Sequence, residues 1–327
     1  MRIRCTYCGA ELEINPEDKV VTCQYCGTTF MVGGGEIERH LMGTVNYSVQ
    51  EIFKIFKEWA LRKPETPNDF ELSSSLRSWR LMFLPYWLFK VRVKSNYRGY
   101  VREVTRGLWR RFRTTAVTGY EEEVYDIAVP ASAKSLKHEF GLRGKVFFNE
   151  REVRDNNGIL VHASVDMGYA KNRAKSMAVE RLIGKLGRRG VFNVNIVGST
   201  VDILDESFVH IPIYEIEYRY RGGTYKFYAD ASDSRIILAE IPSGLIFRTG
   251  LITLALTSFA AGVGAFILGL TLSMPIFAVT SAIYFGTIGV LLGRKAVERK
   301  VVLHRYGSRE EGEIPRKLLD IIGVKAV

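Results

Sequence analysis

The sequence predicts an α+β protein in three parts: an N-terminal zinc ribbon, a duplicated strand–helix–meander region and a C-terminal hairpin of two transmembrane helices. Three observations carry the prediction. Four cysteines, Cys5, Cys8, Cys23 and Cys26, form two CxxCG pairs. The order strand, helix, antiparallel meander occurs twice between residues 36 and 243. Residues 249–293 carry no charged side chain, a longer run than the roughly 20 residues one bilayer crossing requires.

In residues 1–32, Cys5-Thr6-Tyr7-Cys8-Gly9 and Cys23-Gln24-Tyr25-Cys26-Gly27 each set two thiolates on a tight turn, with glycine where the backbone curls around a metal. Four sulfurs favour one Zn2+ over iron in a rubredoxin-like site or a disulfide. Such a site is closed and structural, because no coordination position is left for water. All the cysteines fall in the first 26 residues, which fits a reducing compartment. Residues 10–14 and 19–22 alternate like strands and are expected to pair as a hairpin through Asn15-Pro16-Glu17-Asp18. Gly33, Gly34 and Gly35 make a flexible linker.

The first α+β unit is assigned to residues 36–150. A helix over 48–63 opens with Ser48 as N-cap and Glu51 three residues on, a capping box, and turns Val49, Ile52, Phe53, Phe56 and Ala60 inward. Residues 64–68, with Pro64 and Pro67, end it. After a Ser-rich passage come strands at 84–93, 96–105 and 108–120, the last continuing toward 123–129. The second unit, 151–243, repeats the order. It has a strand at 158–165, a helix at 169–186 with Ala174, Met177, Ala178, Leu182 and Leu186 inward, and strands at 193–202 and 211–218. Residues 211–218 echo 84–91, with Pro second and aromatics after it. Gly222-Gly223 turns the chain into a strand at 224–230, and a short strand at 235–240 follows.

The uncharged segment divides at Pro275 into spans over 245–270 and 275–293. Arg248 precedes the first, and Arg294, Lys295, Arg299 and Lys300 follow the second, so the positive-inside rule puts both flanks, and both termini, in the cytoplasm of a two-span cell-membrane protein. No signal peptide is read at Met1-Arg2-Ile3-Arg4, and the first span is expected to direct its own insertion. Small residues at four-residue spacing (Ala261, Ala265, Gly269; Ala278, Ala282, Gly286; Gly289, Gly293) suit close packing of the spans or of neighbouring copies, hence a homo-oligomer. The basic tail, 294–327, is a lipid contact through Arg294, Lys295, Arg299 and Lys300, with a short amphipathic helix at 314–322.

Residues 214–237 resemble the closing hairpin of PepSY-like domains, from Tyr214-Glu215-Ile216-Glu217-Tyr218 through Gly222 to Tyr228-Ala229-Asp230-Ala231, with Ser234 in place of the usual glycine of the second turn. That likeness implies a small interaction fold. More broadly, the two CxxCG pairs, Leu84-Pro85-Tyr86-Trp87-Leu88-Phe89 and the terminal hydrophobic segment are similar to prokaryotic zinc-ribbon membrane proteins, often labelled primosomal-protein-like or TFIIB-type zinc-ribbon proteins. The similarity implies an architecture rather than an activity, and the sequence holds no GxxxxGK[ST] loop for a helicase.

The 327-residue chain carries a formal net charge of +11, which calls for anionic partners: nucleic acid, anionic lipid or acidic protein. Arg102, Arg106, Arg110, Arg111 and Arg113 surround Trp109 and Phe112, a mixture that binds phosphates and stacks bases when it is not simply a solvated strand face. Lys171, Arg173, Lys175, Arg181, Lys185, Arg188 and Arg189 form the wet side of the second helix. No GxSxG, HExxH or P-loop occurs, and His40, His138, His162, His210 and His304 are scattered. The resulting expectation is a non-enzymatic scaffold or adaptor, membrane-anchored and facing the cytoplasm, that recruits a protein partner. The alternative is a membrane-tethered nucleic-acid-binding protein using the ribbon and residues 102–113.

Overall fold

A computed structural model describes residues 2–33, 37, 39–105, 111–137, 139–140, 144–297 and 300–304. Its N-terminal ribbon holds β1 (Arg2–Arg4), β2 (Glu11–Glu13), β3 (Val20–Thr22) and β4 (Thr29–Met31). These pair as β1 with β2 and β3 with β4, not as the expected hairpin of residues 10–14 with 19–22. The cause is the knuckles, each of which reverses the chain by itself. Cys5 N donates to Ala10 O (2.9 Å) and Gly9 N to Cys5 O (3.1 Å), while Cys23 N donates to Thr28 O (2.8 Å) and Gly27 N to Cys23 O (2.9 Å). Gly9 and Gly27 have φ of 73° and 76°, a left-handed backbone that costs glycine little.

The body follows as β5 (His40–Gly43), α1 (Val49–Leu61), α2 (Phe70–Ser73), β6 (Ser74–Thr105), β7 (Arg111–Pro130), β8 (Lys145–Phe147), α3 (Glu150–Asp155), β9 (Ile159–Leu160), α4 (Met167–Arg188), β10 (Val191–Tyr220), β11 (Gly223–Asp230) and β12 (Ile236–Pro242). Its strands share one mixed sheet. The capping box of α1 forms: Glu51 N donates to Ser48 Oγ, and Ser48 N donates to Glu51 Oε2 at 2.8 Å. Val49, Ile52, Phe56 and Ala60 are buried beneath it. Helix α4 is capped by Asp166 and buries the i, i+4 ladder Ala170, Ala174, Ala178, Leu182 and Leu186. Each of its two leucines contributes roughly 2 kcal/mol by leaving water.

Strands expected to be separate are continuous. The Ser-rich passage and residues 84–93 and 96–105 all belong to β6, whose 32 residues extend roughly 100 Å along the strand. Residues 193–202 and 211–218 likewise merge into the 30-residue β10. The two run antiparallel from Ser74↔Tyr220 to Val101↔Val191, and four bulges absorb the irregularities that read as breaks in sequence. Both prolines sit where a flanking neighbour changes. Pairing with β7 stops at Tyr86↔Pro130, one residue after Pro85, and Pro212 lies between the β5 and β11 partners of β10. Each proline carbonyl accepts from an alanine, Pro85 O from Ala131 N (3.1 Å) and Pro212 O from Ala231 N (2.8 Å).

Along β6, Leu81, Phe83, Trp87, Phe89, Val91 and Val93 face one side, under α1 at one end and α4 at the other. Leu84, Tyr86 and Leu88 face the opposite side, where Leu136 and Phe140 cover them. Beyond that cover β6, β7 and the start of β10 continue as a three-stranded arm with α4 on one face.

From β12 the chain enters α5 (Leu245–Thr271), turns at Ser273 (φ 55°), starts α6 (Pro275–Val297) on Pro275 and returns as β13 (Lys300–His304) beside β12. Stretches of 25 and 22 residues have mean hydropathies of 2.1 and 1.9, and most of their side chains are not buried within the protein. Both are long and apolar enough to cross a bilayer, at roughly 37 and 33 Å against a hydrocarbon core of about 30 Å. They pack on each other through Gly269 against Ala278, Gly289 against Phe259 and Gly262 against Phe285. Buried Ala255, Gly262 and Gly269 repeat every seven residues, the seam of a left-handed pair, rather than every four as expected. Gly286 and Gly293 have nothing within 4 Å of where a Cβ would stand. Part of the expected tail is therefore sheet, while the 314–322 helix lies outside the described residues.

Candidate metal centre

The two knuckles bring the four sulfurs within 4.8 Å of one another, the one such group of metal-ligating atoms among the described residues. Sγ of Cys5 lies 3.7 Å from that of Cys26, and Sγ of Cys8 lies 3.7 Å from that of Cys23. Neither contact is a disulfide, which would need about 2.05 Å. A tetrahedron with metal–sulfur bonds of about 2.3 Å has edges of about 3.8 Å, and both 3.7 Å separations match such an edge. Burial pushes the Cys23 thiol up to about 12. Burial also opposes ionisation of Cys26, but the hydroxyl and backbone N–H of Thr28 and the neighbouring thiols bring it down to about 7. The four sulfurs could hold a cation, which would stabilise the thiolates and offset the remaining cost of ionising the buried one. Leu12, Ile14, Val21 and Phe30 pack around Cys5 and Cys23, so the cluster forms the centre of the ribbon's own small core.

The ribbon is docked on the sheet by backbone and side chain alike. Lys19 N (2.6 Å) and Val20 N (3.1 Å) both donate to Ala163 O, and Ala163 N donates back to Val20 O. Beside this bridge runs a buried chain of polar groups that no sequence pattern marks. His210 Nε2 is 3.0 Å from Val161 O, His210 Nδ1 is 2.7 Å from His40 Nε2, His40 Nδ1 is 2.7 Å from Thr29 Oγ1, and Thr29 Oγ1 is 2.9 Å from Thr22 Oγ1. The carbonyl fixes every proton. It can only accept, so His210 donates from Nε2 and accepts at Nδ1, His40 donates from Nε2 and accepts at Nδ1, and Thr29 donates to His40 while accepting from Thr22. That order of protons holds for two neutral rings, and it is burial that keeps them neutral. Burial holds His40 well below the ordinary histidine range and His210 at about 3. His40 also stacks on Phe148, with centroids 4.1 Å apart.

Other predicted contacts are dispersed. Arg106, Trp109 and Arg110 lie outside the described residues, as do Arg299 and His138, and only the backbones of Arg111, Lys300 and His304 are described. Arg102 and Arg113 fall on opposite faces of the β6–β7 pair, since Arg102 stands across from Thr114 and Arg113 across from Glu103. Arg102 lies at least 15 residues along β6 from the ribbon's docking point near Trp87, roughly 50 Å. The ribbon itself holds three Lys or Arg against four Asp or Glu in residues 1–32. The basic side of α4 faces carboxylates: Lys171 pairs with Glu206, Arg173 with Glu180, Arg181 with Glu139, Lys185 with Glu121 and Glu123, and Arg189 with Glu121. Arg294 and Lys295 are exposed in the last turn of α6, and Arg248 Nε donates to Ala296 O (2.8 Å).

Fold and site thus define a class: a sheet-centred α+β protein with a four-cysteine cluster able to hold a metal ion and two helices of membrane-crossing length. Comparisons with protein families, characterised proteins and solved structures find no match to the chain.

Proposed function

We propose that the chain is a non-enzymatic membrane scaffold whose ribbon, closed by one structural Zn2+, and long-stranded sheet stand in the cytoplasm and recruit a protein partner. The observation that carries this reading is the seam between sheet and hairpin. Strand β12 feeds α5, α6 returns to β13, and β12 and β13 are neighbours from Leu238↔His304 to Pro242↔Lys300, so both helix ends leave from one edge of the body. Arg248, Arg294 and Lys295 beside the spans support a cytoplasmic side, and reduced thiols require the same compartment. The 3.7 Å sulfur separations support a closed tetrahedral site for zinc. The histidines nearest the sheet centre serve structure, each ring nitrogen of the pair being bonded. The knuckle tips leave Tyr7 and Tyr25 78% and 56% exposed, and these rings suit the anchoring of a protein partner.

A duplicated origin for the body is part of the proposal. Its support is reciprocal pairing: β5 runs parallel to β10 and β9 parallel to β6, with α1 and α4 each preceding a long strand and lying on one face of the sheet. The matching Pro85–Ala131 and Pro212–Ala231 bonds extend the correspondence.

The test is recovery from native membranes after alkaline carbonate washing, followed by mild solubilisation and mass determination of the particle. A stoichiometric complex with a second protein, weakened by Tyr7→Ser with Tyr25→Ser, is expected. Recovery in the aqueous wash removes the anchor, and recovery as the chain alone removes the scaffold.

A further inference from the structure

The distal half of β6 repeats a pattern with period two. Asn96, Arg98, Tyr100 and Arg102 are all exposed and alternate with Tyr97, Gly99 and Val101, which are buried or half-buried on the α4 side. The exposed set therefore lies on the open face of the arm. Pairing with β7 puts Tyr120 beside Asn96, Thr118 beside Arg98, Ala116 beside Tyr100 and Thr114 beside Arg102. On the other flank Asn195 stands beside Arg98 and Phe192 beside Tyr100. None of these neighbours is acidic. Nearer the sheet centre the same face is neutralised, with Lys94 paired to Glu122 at 3.5 Å and Lys90 flanked by Asp126 and Asp205.

Aromatic rings fill the spaces between the distal cations. Tyr100, Tyr120 and Phe112 are 43%, 56% and 64% exposed. The Arg102 guanidinium lies 5.9 Å from the Phe112 centroid and 5.7 Å from that of Phe192, whose ring is 6.1 Å from Tyr100. Those contacts hold the cation in place without neutralising it.

We propose that this open face of the arm binds single-stranded nucleic acid, with bases stacked on Tyr100, Tyr120 and Phe112 and phosphates on Arg98 and Arg102. Bare aromatic rings interleaved with arginines on a sheet match a strand whose bases are unpaired, whereas a duplex keeps its π-faces inside the stack. Position argues against a lipid surface. Arg98 is 24 residues along β6 from Ser74, at the end of the sheet where the hairpin joins, roughly 80 Å of strand against a Debye length of about 8 Å. Every base has a π-face to stack on these rings, so the recognition is tolerant of sequence. The face needs neither the metal nor the protein partner of the scaffold.

The full chain in phosphatidylcholine nanodiscs is titrated into fluorescein-labelled oligo(dT) and followed by anisotropy. Binding at low salt that weakens steeply as salt rises is expected. Tyr100→Ala and Tyr120→Ala should each loosen it about tenfold with the salt slope unchanged. Arg98→Ala and Arg102→Ala should each lower the slope by about 0.7. An unchanged circular dichroism spectrum ensures that each variant reports on the face, and Arg98→Glu provides a second, stronger perturbation of it. Absence of binding, tighter binding of duplex than of single strand, or indifference to these substitutions overturns the proposal. So does a loss confined to phosphatidylserine vesicles or an acidic peptide. Recovery of the chain alone from native membranes sinks the scaffold and leaves this face standing.

Discussion

Acid should loosen the joint between ribbon and sheet, because burial disfavours the charged form of both histidines in the chain from Val161 to Thr22. Folded, His40 lies well below its ordinary value and His210 is at about 3; unfolded, both titrate near 6.5. Groups whose folded pKa is depressed in this way bind protons better in the unfolded state, so stability falls as pH drops below the unfolded value. At pH 7.5 the effect is negligible, and at pH 5.5 each histidine costs about 1.4 kcal/mol, or about 3 kcal/mol for the pair. Ordinary carboxylates titrate mostly below this window; His162, also held below its ordinary value by burial, and the Cys26 thiol titrate within it, so the His210→Gln variant isolates the pair rather than the wild-type loss. The assay is chemical unfolding of the full chain in neutral detergent at the two pH values, followed by the emission of Trp87, which is buried against Phe208. His210→Gln keeps an acceptor and a donor in place but does not titrate, and should reduce the loss to about half. A wild-type loss under about 1 kcal/mol, or a variant loss equal to the wild type's, refutes the neutral pair.

Three further outcomes follow from other parts of the molecule. Cys23→Ser should take zinc from about one ion per chain to below a tenth by elemental analysis, and the amides of residues 2–33 should lose exchange protection; retention of a full equivalent refutes the four-sulfur site. Gly269→Val drives a Cβ to within 2.8 Å of Ala278 and should destabilise the helix pair by about 1–3 kcal/mol in bicelles, whereas Gly286→Val meets open space and should stay within about 0.5 kcal/mol of wild type. In intact cells, Ser273→Cys at the turn between the spans should react with a membrane-impermeant maleimide while the ribbon cysteines stay protected, and the reverse pattern inverts the proposed topology.

Features encoded within a few residues were legible from sequence. The CxxCG knuckles, the Ser48 and Glu51 cap, the α4 ladder and the break at Pro275 each depend on neighbours in the chain. The turn before β11 was legible to within one residue: it falls at Arg221 and Gly222, with φ of 43° and 81°, the two left-handed positions of a two-residue hairpin, and Gly223 already belongs to the strand. Ser234, standing where the resemblance expects glycine, keeps the left-handed backbone at φ 62°. Relations between distant segments were not legible. Residues 74–80 read only as a Ser-rich passage ahead of the first strand, yet all of them but Arg77, which sits at a bulge, have a partner on the far end of β10. The His40–His210 contact spans 170 positions and leaves no periodic trace. For the arm, the arginines were counted along the chain, but facing is set by register, which divides Arg102 from Arg113 and joins Arg102 to Tyr100 instead.

The place of β13 also fixes an order of biogenesis. The strand that completes the edge beside β12 is translated only after both apolar helices, so β12 keeps an open flank until α5 and α6 have been made. Under the proposed topology, insertion then brings the last strand home, and the sheet edge becomes whole only in a chain that has already reached its membrane.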